Sequence, residues 1–72
     1  MEEFKIRTYG RTELAQCYCP TMNPRAAYRK VMQWIDMYPN LRQHLAELGL
    51  DPKSRTYTPA QVKAIVDALG EP

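Results

Sequence analysis

The sequence has little of what catalytic sites need. It has one histidine and three glycines among 72 residues, with no Ser/His/Asp pattern and no glycine-rich phosphate-binding motif. The histidine, His44, is expected to be a solvated helix residue. The internal acids are scattered instead of paired: Glu13, Asp36, Glu47, Asp51 and Asp67. We therefore expect no enzymatic activity, no cofactor and no small-molecule substrate.

Cysteine is equally scarce, since Cys17 and Cys19 are the two that the chain contains. A disulfide across a single residue would be strained. Zinc needs about four ligands, and His44 stands alone in another predicted helix. We expect free, buried or partly buried thiols and no metal site within one chain, with a zinc site shared between two chains as an open alternative.

Long hydrophobic runs are absent. A membrane-spanning helix needs about 20 apolar residues, and the chain starts with the acidic Met1-Glu2-Glu3 where a signal peptide is basic. No predicted helix combines a lysine-rich face with a broad apolar face, as membrane-surface helices do. These absences predict a cytoplasmic chain without a membrane partner, and the 44% hydrophobic and 25% charged composition predicts one globular domain over residues 1–72.

The clearest element is a helix from Pro24 to Tyr38. Asn23 is suited to cap it, Pro24 fits the first helical position, and Pro39 ends it. Apolar residues recur at three- and four-residue steps, which predicts one buried face. They are Ala27, Val31, Trp34, Ile35 and Tyr38, with Tyr28 and Met32 widening the face.

Three further helices are predicted around it. One spans residues 13–18 with Thr12 as its N-cap, and another spans residues 40–48 with Gly49 at its end. The last follows Thr58-Pro59-Ala60-Gln61, which combines a threonine cap, a proline at the first position and glutamine at the capping-box position, and it stops at Gly70.

Alternation from Glu3 to Tyr9 predicts a strand, with Phe4 and Ile6 facing inward and Gly10 ending it. An extended piece at residues 55–57 is a candidate partner for it. The predicted fold is mainly α, a compact bundle of about four helices resembling a helix-turn-helix domain, with a short two-stranded pairing between residues 3–9 and 55–57.

Positive charge is concentrated in the first half of the chain. Residues 4–30 contain six basic residues and one acid, a local net charge of +5, although the whole chain carries only +2. This concentration of positive charge suggests an anionic partner, while a solvated charged surface is the simpler interpretation. The candidate DNA-contacting residues are Arg25, Arg29 and Lys30 on the central helix, with Arg7 and Arg11 nearby.

The pattern of core and cap residues resembles a family of small uncharacterised proteins from Bacteroides-type bacteria, filed as a domain of unknown function. It runs over nearly the whole chain and implies a compact, mainly helical bacterial domain, without functional residues to transfer. The matching positions are Phe4, Ile6, Arg7, Tyr9, Glu13-Leu14-Ala15, Tyr18, Pro20, Trp34-Ile35, Leu41, Leu45, Thr58-Pro59, Gln61-Val62, Ile65, Leu69-Gly70 and Pro72.

A second resemblance is to helix-turn-helix domains of the MerR and excisionase type. Thr12-Glu13-Leu14-Ala15 would begin the first helix, residues 24–38 would be the recognition helix, and residues 55–58 would lead into the last. The turn is longer than usual, and the helix at residues 40–48 is additional. This resemblance implies a double-stranded DNA partner. The alternative hypothesis is a protein-interaction module or homodimer that uses exposed apolar residues such as Met22, Met32 and Met37.

Overall fold

The computed structural model describes residues 4–72 and contains four helices and one antiparallel strand pairing. This architecture confirms the prediction of a mainly α fold with a small two-stranded sheet. In chain order the elements are β1 (Tyr9–Gly10), α1 (Arg11–Tyr18), α2 (Pro24–Met37), α3 (Leu41–Glu47), β2 (Thr56–Tyr57) and α4 (Pro59–Leu69).

The predicted starts of α2 and α4 are confirmed. The side-chain Oδ1 of Asn23 accepts the backbone N–H of Ala26 at 2.9 Å. At the other helix, Thr58 Oγ1 accepts the N–H of Gln61 at 3.3 Å, and Gln61 Oε1 accepts the N–H of Thr58 at 2.9 Å. Both helices therefore begin where local hydrogen bonds satisfy backbone groups that have no partner inside the helix.

The start of α1 differs from the prediction, because Gly10 and not Thr12 is the N-cap. The carboxylate of Glu13 accepts the Gly10 N–H at 3.0 Å. The preceding residues are held in extended geometry, since Tyr9 pairs with Tyr57 and Gly10 with Thr56 across the sheet. The helix therefore starts directly after the strand, two residues earlier than the capping pattern indicated.

The strand itself is shorter than the predicted residues 3–9. It consists of Tyr9 and Gly10, so Gly10 belongs to the strand that it was expected to end. Residues 4–8 lie outside any strand, and Ile6 is 43% exposed instead of facing inward. Glu3 lies outside the described residues. The pairing partner is correct, but β2 is two residues long and cannot hold a longer strand.

The third helix begins at Leu41, one residue later than predicted, because Asn40 adopts a left-handed conformation with φ of 66°. Asparagine tolerates this region better than most residues. Gly49 follows the helix with φ of 96°, in agreement with its predicted role at the helix end. Leu41 and Leu45 are buried, whereas Leu48 is half-buried.

One apolar core joins all four helices and both strands. Tyr38, which the periodicity placed on the buried face of α2, is 45% exposed because α2 ends at Met37 and the chain turns there. The buried apolar residues are Tyr9, Leu14, Ala15, Cys19, Ala27, Val31, Ile35, Leu41, Leu45, Tyr57, Val62 and Ile65.

Gln61 is a buried polar side chain, only 2% exposed, and it connects two elements. Besides capping α4, its Nε2 donates to the Leu48 carbonyl at 3.0 Å. We expect Gln61→Ala to lower the free energy of unfolding by about 2 kcal/mol, because a cap is lost and a carbonyl loses its donor. Urea denaturation measures this change.

The matched control is Gln43→Ala on the exposed side of α3, which should change the free energy of unfolding by less than about 0.5 kcal/mol. Equal effects of the two substitutions would show that the buried amide contributes nothing specific.

Within residues 4–72, none of the helices has the length and apolar character needed to cross a membrane.

Candidate nucleic-acid interface

Three of the five candidate cations lie on the first two turns of α2. Arg25, Arg29 and Lys30 are all exposed. With about 100° of rotation per residue, Arg25 and Arg29 are about 40° apart around the helix axis, so they share one face. Lys30 lies about 100° beyond Arg29. The helix therefore presents a pair of arginines with one lysine on its flank.

These three charges are free of intramolecular ion pairs in the described part of the chain. No carboxylate among residues 4–72 lies within ion-pair distance of Arg25, Arg29 or Lys30. Other surface cations differ, because Arg42 contacts Asp36 at 2.6 Å and Lys63 contacts Asp67 at 3.1 Å. The first half of α2 is thus a surface of uncompensated positive charge.

The position of this surface is fixed by the packing of α1 against α2. Leu14 and Ala15 from α1 and Ala27 and Val31 from α2 belong to the same core cluster. The Asn23 cap orders the first turn of α2 next to Arg25. A cationic pair on a packed, capped helix loses less side-chain and backbone freedom on binding than one on a mobile loop.

Arg7 does not belong to the α2 surface. Its Nη2 contacts Glu13 Oε2 at 3.3 Å, and its guanidinium lies 3.8 Å from the centroid of the Tyr9 ring. Nη1 also donates to the Thr8 carbonyl at 2.7 Å. The charge of Arg7 is therefore already matched by a carboxylate at the start of α1.

Arg11 is half-buried and engaged with groups of the fold, unlike the exposed cations of α2. Its Nη1 donates to the Ser54 carbonyl at 3.1 Å, and its guanidinium carbon lies 5.5 Å from the Tyr28 ring centroid and 5.4 Å from that of Tyr57. The sequence indicated none of these partners, because Ser54 lies 43 positions away and contributes only a backbone atom.

Glu13 contacts both the Arg7 guanidinium and the Gly10 backbone N–H. The effect of its protonation on the stability of the fold can be tested. The Gly10 N–H and then the Arg7 guanidinium lower the pKa of Glu13 below its ordinary value of 4.5. A carboxyl whose folded-state pKa is lowered stabilises the fold above its unfolded-state pKa, and this stability is lost as pH falls through the lower folded value.

We expect the melting temperature of the native chain to fall more between pH 6 and pH 3 than that of Glu13→Gln. Circular dichroism melts of both proteins across this range measure the difference. Parallel pH profiles would show that the Glu13 carboxylate adds no pH-dependent stability. Asp67→Asn, at an exposed position of α4, is the charge-matched control and should follow the native profile more closely than Glu13→Gln does.

Two tyrosines near the cationic residues are too buried to stack on nucleic-acid bases. Tyr9 is 5% exposed and Tyr57 is 1% exposed, and burial raises the pKa of the Tyr57 hydroxyl. Burial likewise raises the pKa of Tyr18 to about 12, and its hydroxyl donates to the Gly70 carbonyl at 2.6 Å. These rings take part in the packing and hydrogen bonding of the fold.

The two cysteines differ in exposure. Cys17 is exposed and Cys19 is buried, and both are free thiols. Partial burial, followed by the charge of Glu13, raises the pKa of the Cys17 thiol, which makes it a weaker nucleophile at neutral pH. Among residues 4–72 there is no group of three or more His, Cys, Asp or Glu that could hold a metal ion.

An apolar surface lies at the far end of α2, which bears on the alternative hypothesis of self-association. Met37 is 79% exposed and Tyr38 is 45% exposed, and both line a groove with Trp34, Pro39 and Leu69. Met22 and Met32, in contrast, pack against the core. Self-association through this groove stays a prediction, which sedimentation equilibrium would test.

Comparison with curated proteins and with solved structures gives no match for this chain. A family model described as a domain of unknown function, DUF4248, matches residues 5–72. This match confirms the first resemblance as far as the uncharacterised domain is concerned, while the bacterial source and the helix-turn-helix resemblance stay predictions. The match covers nearly the whole chain, and the chain therefore belongs to the DUF4248 family.

Proposed function

We propose that this chain is a DNA-binding or DNA-associated accessory protein that places the first half of α2 against the major groove of a duplex. The single observation that carries the proposal is the exposed pair Arg25 and Arg29, which share one helix face and have no carboxylate partner within residues 4–72. The proposal includes no enzymatic step.

The dimensions of α2 support this placement. Its 14 residues correspond to a rod about 21 Å long, and a major groove about 12 Å wide admits an α-helix. Arginine can donate two hydrogen bonds to the O6 and N7 atoms of guanine, which makes it the commonest base-reading residue. Arg25 and Arg29, one turn apart, would meet neighbouring base pairs or the phosphates beside them.

The order of elements supports the same interpretation. A short helix, α1, packs against α2 and is followed by a turn at residues 19–23. In helix-turn-helix proteins the first helix crosses the backbone and the second enters the groove with its N-terminal residues foremost. Lys30, on the flank of α2, is then positioned for a phosphate, where a flexible point charge suffices.

Arg7 and Arg11 drop out of the proposed interface. Arg7 is paired with Glu13, and Arg11 is engaged with Ser54 and two tyrosine rings. The number of DNA contacts is therefore about three instead of five. Each cation that neutralises a phosphate adds about 0.9 to the salt slope. With Arg25, Arg29 and Lys30 all against phosphates, the slope of the logarithm of affinity against that of salt is about −2.7.

The experiment is a fluorescence anisotropy titration of a labelled mixed-sequence duplex at about 50 mM and about 200 mM salt. A slope near −2.7 predicts about a 40-fold loss of affinity over this fourfold change in salt. Backbone NMR shifts recorded in parallel should cluster on Arg25, Arg29 and Lys30 and should leave Lys63 on α4 unchanged. Absence of binding at both salt concentrations, or shifts centred on α4, would contradict the proposal.

A further inference from the structure

A cavity of about 380 Å³ opens between α2, α3 and the loop that follows α3. Its size falls within the range of about 300–1,000 Å³ that small-molecule sites occupy. It is separate from the proposed DNA-contacting face, since neither Arg25 nor Arg29 lines it. Its apolar wall consists of Met32, Ile35, Leu45 and Leu50.

Arg11 forms the polar end of this cavity together with the rings of Tyr28 and Tyr57. Its guanidinium carbon lies within 5.5 Å of both ring centroids, so the positive charge is held against two aromatic rings. No carboxylate of residues 4–72 lies within ion-pair distance of it. A half-buried guanidinium without an anionic partner is the unusual feature of the cavity, because buried charges are ordinarily paired.

The hydrogen-bond donors of Arg11 are poorly satisfied. Nη1 donates to the Ser54 carbonyl at 3.1 Å, and Nη2 lies 3.8 Å from the Sδ of Met32, a weak acceptor. The guanidinium also lies near the Tyr57 hydroxyl, where burial raises the pKa and the guanidinium lowers it by a smaller amount. Nε is buried and has no hydrogen-bond partner within the described residues. Methionine side chains are flexible, so Met32 can yield its place at Nη2 to a stronger acceptor.

The other charged side chains around the cavity each have a contact within the chain. Asp51, the carboxylate among the lining residues, accepts the backbone N–H of Lys53 at 2.7 Å. Arg42 also lines the cavity, and its Nη2 contacts Asp36 at 2.6 Å. Arg11 is therefore the group that would recognise an anion, and a ligand carboxylate would complete the pairing that the protein leaves open.

We propose that this cavity binds a small organic monocarboxylate whose apolar body is aromatic or branched. The carboxylate accepts hydrogen bonds from Arg11, and the apolar body packs against Met32, Leu45 and Leu50. This site is additional to DNA binding, and its existence does not depend on whether the α2 surface contacts a duplex.

The first test uses the intact chain and two probes, phenylacetate and its neutral counterpart phenylacetamide. We expect phenylacetate to bind with a dissociation constant on the order of 1 mM, which is reasonable for so small a ligand, and phenylacetamide at least about tenfold more weakly. The methyl resonance of Met32 should shift, and that of the exposed Met37, outside the cavity, should not. Isocaproate serves as the branched probe and should behave like phenylacetate.

The second test compares Arg11→Gln with Lys53→Gln, which removes the same charge from a side chain that does not line the cavity. Arg11→Gln should weaken phenylacetate binding at least tenfold, and Lys53→Gln should leave it unchanged. Equal binding of acid and amide, unchanged binding by a folded Arg11→Gln, or no Met32 shift with either acid at about 20 mM would overturn the proposal. The acid and amide comparison decides the question even if Arg11→Gln does not fold.

Discussion

Replacing Arg25 and Arg29 together by glutamine is expected to weaken duplex binding by at least about 30-fold at 50 mM salt. Each arginine contact with a base or phosphate contributes about 1–3 kcal/mol, and two contacts at the lower limit give this factor. Both side chains are exposed, and they form no ion pair within residues 4–72 that their removal would break. Folding stability should therefore change little.

The salt dependence gives a sharper test of the same pair. Removing two cations should reduce the slope by about 2, so that the variant loses only about three- to fourfold in affinity between 50 and 200 mM salt. Lys30→Gln should reduce the slope by about 1. Lys63→Gln, on α4, is the single-charge control and should leave both affinity and slope unchanged.

If Lys63→Gln weakened binding as much as Arg25→Gln or Arg29→Gln alone, binding would reflect net charge, and the assignment of α2 to the groove would be wrong.

Leu14→Ala is expected to lower the free energy of unfolding by about 2–5 kcal/mol, the range for a buried leucine whose removal leaves a cavity. Leu14 has 0% exposure and lies on α1 where that helix packs against α2. A 72-residue domain has a total stability of about 4–11 kcal/mol at typical per-residue values. The substitution should therefore remove a substantial fraction of that stability and lower the urea midpoint.

Urea denaturation followed by circular dichroism measures this loss, and Leu48→Ala provides the control. Leu48 is half-buried after α3, so truncating it should cost about 1 kcal/mol or less. Its backbone carbonyl, which accepts the hydrogen bond of Gln61, remains in place. Similar midpoints for the two variants would contradict the central role of the packing between α1 and α2.

The local signals in the sequence were sufficient to predict most of the helices. Asn23-Pro24 and Thr58-Pro59 are start signals whose hydrogen-bond partners lie within three residues. Such interactions are encoded in a short stretch of chain and form whenever that stretch is helical. The buried positions Ala27, Val31 and Ile35 likewise follow from helical periodicity alone.

The predictions were wrong where a segment distant in the sequence determines the local conformation or burial. Thr12 is a good cap by composition, yet Gly10 takes that role because β2 holds Tyr9 and Gly10 in extended geometry. Ile6 was expected to be buried from alternation, but no strand continues opposite it, and it is exposed. Propensity is a weak prior that pairing with a remote strand overrides.

The candidate site shows the same division. From the sequence, Arg25 and Arg29 could be placed on one face of α2 and Lys30 on its flank, because helical spacing fixes their angles around the axis. The sequence could not show that Arg7 and Arg11 lie apart from these three residues. Arg7 forms an ion pair with Glu13, and Arg11 donates a hydrogen bond to the carbonyl of Ser54. Any residue at position 54 would offer this backbone carbonyl.

By itself, the sequence determined the four helices, the N-caps of α2 and α4, and the cationic face of α2, because these depend on interactions within a few residues. Only the tertiary structure decided that the +5 half of the chain divides into an exposed surface on α2 and a half-buried guanidinium at the end of a cavity. The physical reason is that a charge becomes exposed, paired or buried according to what the rest of the chain packs around it. That packing joins residues such as Arg11 and Ser54, which lie 43 positions apart.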